Sequence, residues 1–169
     1  MGLGKALGFS LLAYVGLNFL FVIISETISG NLNLLFSGIT SNPLTIMLIF
    51  FGPIVSVPSS EIFLLYGQIS SATIDASLIR TIGFIVTPFV ASIVAGRTGG
   101  SKGASFGGWM ITCLISSSAL GVLGFISPST LGFPAAYAVT YLIMVSLTAL
   151  ITGIFYGCFA LLFTKTEMY

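Results

Sequence analysis

The chain has 169 residues, of which 56% are hydrophobic and 5% charged, with a formal net charge of +1. Soluble domains carry about a quarter charged residues, so this composition cannot clothe an apolar core in polar surface and places the chain in lipid. The near-neutral balance excludes the basic face that nucleic-acid binding needs. Histidine is absent and only two cysteines are present, which leaves no ligand set for haem, iron–sulfur or zinc and no expected cofactor.

A bilayer core about 30 Å thick takes roughly 20 helical residues. By that measure five runs predict transmembrane helices, at 6–28, 43–66, 78–95, 107–126 and 135–163, in one all-α polytopic bundle covering residues 1–169. The apolar stretch from Ala6 to Ile24 exceeds the about 7–15 residues of a signal-peptide core and reads as a retained span. Ala6 stands where myristoylation wants Ser or Thr. Asn18, in the middle of this run, predicts an interhelical hydrogen bond, and Glu26 reaches the far interface. Residues 29–42 are too short and polar to cross, while Leu34, Leu35 and Phe36 call for an apolar surface; a short interfacial helix fits both.

The second run starts on Pro43 and contains Pro53 and Pro58. Each proline removes a backbone donor and clashes with the preceding turn, which predicts a kinked or broken span. Ser59 or Ser60 is placed to cap the restarted segment. Irregular backbone at that depth survives only under cover of protein or water. A polar connection carrying Asp75 leads to the third run, with Arg80 near its start and Thr87-Pro88 in its middle. The hydrophilic, glycine-dense stretch from Ala95 to Gly108 then turns the chain back and holds Arg97 and Lys102. In the fourth run Trp109 is expected at the membrane interface, and the hydroxyls of Ser116, Ser117 and Ser118 are expected to bond their own helix. A Pro/Ser/Gly turn at 127–134 precedes the fifth run and a short polar tail.

Four charges stand out. Glu61 lies just after the double-proline break and inside the second run, where a carboxylate is costly. An ion pair with Arg80 would lower the burial cost of both, and this pair is the structural expectation. The functional one is a proton- or cation-binding Glu61 beside exposed carbonyls. Arg97 and Lys102 read first as cations of a tight turn and then as lipid-headgroup contacts. Lys102 sits between Ser101 and Gly103, which breaks the phosphate-loop pattern. The turn resembles glycine-rich hairpins of small prokaryotic multi-span proteins, a likeness too generic to imply an activity. Cys113 and Cys158 read as reduced structural thiols. With no histidine and four acids, no catalytic constellation can be assembled and no enzyme is expected.

Five crossings would put Lys5 and Arg80 on one side and Arg97, Lys102 and Lys165 on the other. The basic excess then favours an outside N-terminus and an inside C-terminus, in the plasma membrane. A re-entrant hairpin within 29–66 would instead bring Lys5 to the side of Arg97 and Lys102. Little extramembrane mass and many small-residue faces predict a non-catalytic integral subunit of a larger prokaryotic membrane complex, energy-converting or respiratory. Its partners would be membrane lipids and other subunits or copies of itself. The alternative is a small oligomeric channel or transporter for an ion or small solute, supported by the broken run and Glu61.

Overall fold

A computed structural model of the chain describes residues 2–71 and 74–165. Among these residues it has seven α-helices and no strand: α1 (Gly2–Ile28), α2 (Leu32–Ser41), α3 (Thr45–Phe51), α4 (Pro58–Ser70), α5 (Ala76–Gly99), α6 (Lys102–Ile126) and α7 (Ala138–Leu162). The four long ones have 24 to 27 residues, about 36–40 Å at 1.5 Å per residue, and each is long and apolar enough to cross a membrane. Leu34 and Phe36 are exposed on α2, which has no buried residue, as an interfacial helix requires.

Lipid tails give helices no hydrophobic reason to associate, so close backbone approach has to do it. A side-chain carbon added at Gly83 would lie 2.6 Å from Cβ of Phe21, and one at Gly108 2.6 Å from Cβ of Ala6. These bare positions seat α1 against α5 and α6. Gly96 likewise meets the carbonyl of Ala160, which joins α5 to α7, and Gly121 and Gly153 admit Leu142 and Met110 between α6 and α7. The four helices form a ring in the order α1, α5, α7, α6.

The same contacts fix direction. Ser25, near the end of α1, donates to the carbonyl of Ala76 at the start of α5 (3.0 Å). Gly2 lies against Gly99, so these two helices are antiparallel. The start of α6 lies beside the start of α1, and the ends of α5 and α7 lie together. The first and last helices therefore begin and end at one end of the bundle. Lys5, Arg97, Lys102 and Lys165 gather there, and it is called the basic end below. The expectation that the two termini lie at opposite ends is corrected accordingly. The second run is broken: α1 ends and α5 begins at the far end, and between them the α3–α4 pair is bent, so four helices, or five with the bent pair counted as one span, are long and apolar enough to cross a membrane.

Proline explains that excursion. Helix α3 stops at Phe51, a 3-10 turn covers Gly52–Val55, and α4 restarts on Pro58, bent by 94° from the incoming segment. Pro53 and Pro58 both fall at the first positions of their elements, where a missing N–H costs nothing. Helix α3 packs on α1 and α6, the 3-10 turn on α5, α6 and α7, and α4 mainly on α5. The segment thus enters one side of the ring and leaves by the opposite side.

Candidate functional site: a helix break with a buried carboxyl

The 3-10 turn sits in the interior, with Gly52, Pro53 and Ile54 buried. Its backbone has to find partners there. Pro53 withholds the N–H that the carbonyl of Ile49 would take within a helix. The Asn18 side-chain amide of α1 donates to that carbonyl instead, at 2.5 Å. On the exit side the hydroxyl of Thr152, in the middle of α7, donates to the carbonyl of Ser56 (3.2 Å). Two side chains from helices far apart in sequence thereby hold both limbs of the break at mid-depth. The mid-run Asn18 is an interhelical bond, as its position implied.

Glu61 follows in the first turn of α4. It is 7% exposed. The Ser56 hydroxyl, between the break and Glu61, donates to the Pro53 carbonyl (3.2 Å). Toward the basic end, Tyr156 packs edge-on against Trp109 (ring centroids 6.3 Å apart), and Trp109 against Tyr14 (6.2 Å).

The expected Glu61–Arg80 pair is replaced by another. The Arg80 guanidinium meets Glu26 at 3.0 Å, with side chains 49% and 18% exposed, and among the described residues this is the one ion pair. The reason is the excursion. Glu61 lies nine residues before the end of α4 at Ser70, about 14 Å along the helix axis from the end where Arg80 sits. The antiparallel packing of α1 on α5 brings Glu26 there instead. Among the described residues Glu61 is left without a basic partner.

Arg97 and Lys102 are exposed at the basic end. Arg97 lies over the ring of Phe163, 5.7 Å from its centroid. The turn between them is short: Gly100 takes the left-handed conformation (φ 70°) that ends α5, and the Ser101 side chain accepts from Ala104 N–H to start α6. It is a tight turn between close-packed helices. Trp109 departs from its expected interfacial place. Helix α6 starts five residues earlier than the apolar run implies, so the indole is two turns deep, fully buried, and donates to the Gly153 carbonyl (2.9 Å). Ser116 and Ser117 bond carbonyls of their own helix. Cys113 is buried and Cys158 faces outward, and both are free thiols.

Sequence reasoning missed Tyr14, Thr152 and Tyr156. A buried tyrosine hydroxyl leaves no mark in a run that is already aromatic-rich. Comparison with known proteins finds no matching family model, no matching curated protein and no matching solved structure.

Proposed function

We propose that the protein is a small membrane channel or transporter in which Glu61 takes up and releases a proton or binds a small cation. One observation carries this reading: a buried carboxyl beside a helix break, with no basic partner among the described residues. A charged side chain at the centre of a transmembrane helix costs about 2.5–3.5 kcal/mol on insertion scales. A group with only a packing role is better matched as Glu26 is, by a cation. Discontinuous helices whose ends meet at mid-depth are where transporters place their coupling ions, because irregular backbone there supplies both carbonyls and helix termini.

Topology fits the same reading. With the basic end facing the cytoplasm of a plasma membrane, both termini are inside, and Lys5, Arg97, Lys102 and Lys165 lie where anionic headgroups favour them. The test is reconstitution in liposomes with a pH-sensitive dye inside and imposed proton and potassium gradients. Wild type should dissipate the gradient, Glu61→Gln should not, Glu61→Asp should retain part of the flux, and Glu26→Gln should match wild type. Equal flux in Glu61→Gln and wild type overturns the reading. A silent wild type that purifies with a heterologous protein at fixed stoichiometry returns the chain to the role of a non-catalytic subunit.

A further inference from the structure

We infer that a cavity between α1, α2, α3 and α5 binds a small zwitterion with an apolar body and a hydrogen-bond donor at its tip, the chemistry of an aromatic α-amino acid such as tyrosine. This goes beyond the ion-handling reading and makes no use of Glu61. The cavity measures about 300 Å³, at the lower end of the roughly 300–1,000 Å³ of small-molecule pockets. Its walls are mostly apolar, Val22, Leu48 and Phe84 among them, and its polar side chains are Asn18, Thr45 and Arg80. An apolar enclosure with a few fixed polar groups is how proteins orient a small ligand.

The two ends of the cavity ask for different groups. At one end Arg80 meets Glu26 through Nη2 (3.0 Å), and the other N–H groups of the guanidinium fork remain for a ligand carboxylate. The second oxygen of Glu26 takes the Ser29 hydroxyl at a long 3.4 Å and can accept from an ammonium. An anion alone would face Glu26 and a cation alone would face Arg80, so a head carrying both charges suits the pair. At the other end Asn18 is 1% exposed. Its nitrogen donates to the Ile49 carbonyl, while its Oδ1 has no partner within the protein. Buried acceptors are normally satisfied; a phenol or indole tip supplies the donor, and a lipid acyl chain does not. Asn18 and Glu26 stand eight residues apart on α1, about 12 Å along its axis. An aromatic amino acid reaches across most of that distance, and the Arg80 and Glu26 side chains cover the rest. Phe84 in the wall offers its ring an aromatic partner.

The experiment is equilibrium dialysis of radiolabelled tyrosine against the full chain in nanodiscs, with empty nanodiscs of the same lipid as the blank. Wild type should bind tyrosine saturably. Phenylalanine lacks the tip donor, tyramine the carboxylate and para-hydroxyphenylpropionate the amine. Each should compete at least about tenfold more weakly, because it leaves a polar group of the site unpaired. Arg80→Gln should weaken tyrosine binding by at least about tenfold, and Arg97→Gln, at the basic end, should leave it unchanged. Asn18→Leu should bind tyrosine and phenylalanine alike; if that variant does not fold, the analogues on wild type carry the same test. Binding no greater than to empty nanodiscs, or equal competition by phenylalanine, overturns the proposal. So does a co-purifying phospholipid that tyrosine does not displace. Dialysis reads binding and not flux. If tyrosine binds as expected while Glu61→Gln transports like wild type, this site stands and the ion-handling reading falls. Flux lost in Glu61→Gln without tyrosine binding keeps that reading and removes the site.

Discussion

Asn18→Leu tests how the broken segment is held. The two side chains have the same branching, and Gly52 leaves room beside them: a side-chain carbon there would be 3.6 Å from Asn18 Nδ2. The substitution therefore removes polarity with little change of volume. It strips the donor from the Ile49 carbonyl, which Pro53 has already deprived of its helical partner. An orphaned buried carbonyl costs about 1–3 kcal/mol, while side-chain hydrogen bonds measured within membranes average about 0.6 and reach about 1.7 kcal/mol. Loss of the unpartnered Asn18 Oδ1 offsets part of the penalty, so the expected destabilisation is about 1–2 kcal/mol. Pro53→Ala supplies a new N–H to the same carbonyl. The double variant should be more stable than the sum of the single effects by about 1 kcal/mol. Unfolding in mixed detergent micelles, titrated with a denaturing detergent, measures all four species. Strict additivity, or a neutral Asn18→Leu, would refute the idea that the asparagine stands in for the missing proline donor.

Reporter tags fused to the two termini should read the same side of the membrane, because α1 begins where α7 ends; opposite sides would contradict the bundle. Arg80→Gln should cost less than about 1 kcal/mol, since its pair with Glu26 is half-exposed. In double-mutant cycles on detergent stability it should couple to Glu26→Gln and be additive with Glu61→Gln. Gly108→Ala should destabilise by about 1–3 kcal/mol, since the new methyl meets Ala6 and the Leu7 backbone at 2.6–2.9 Å. Gly8→Ala, on the open face of α1 with nothing within 4 Å, should stay within about 0.5 kcal/mol of wild type by the same assay.

What the sequence disclosed is what local chemistry decides. The long helices were legible from apolar run length, and the break near Pro53 and Pro58 from the missing N–H groups, since neither depends on a distant neighbour. The lone asparagine in α1 announced an interhelical bond but not its partner. Arg80's partner was not legible, because it depends on whether residues 29–75 cross or return, and no local pattern states that. The one clue was charge: a returning segment gathers Lys5 with Arg97 and Lys102, a stronger asymmetry than five crossings allow. The depth of Trp109 was misplaced because glycines and serines at the start of α6 read as loop. In a membrane bundle they are the small residues that let helices touch.

The route of the broken segment has a consequence for how the protein is made. Its entering limb takes its hydrogen bond from Asn18 of α1, which synthesis supplies early. The exit limb takes its hydrogen bond at Ser56 from Thr152, a residue that leaves the ribosome almost a hundred positions later. Until then the Pro58 restart and the carboxylate behind it have no protein cover on that side, and lipid cannot supply it. Docking of this segment is therefore a late, post-insertion event. Chains truncated before α7 should remain bound to the membrane by their earlier helices, with the segment around Glu61 still outside the bundle.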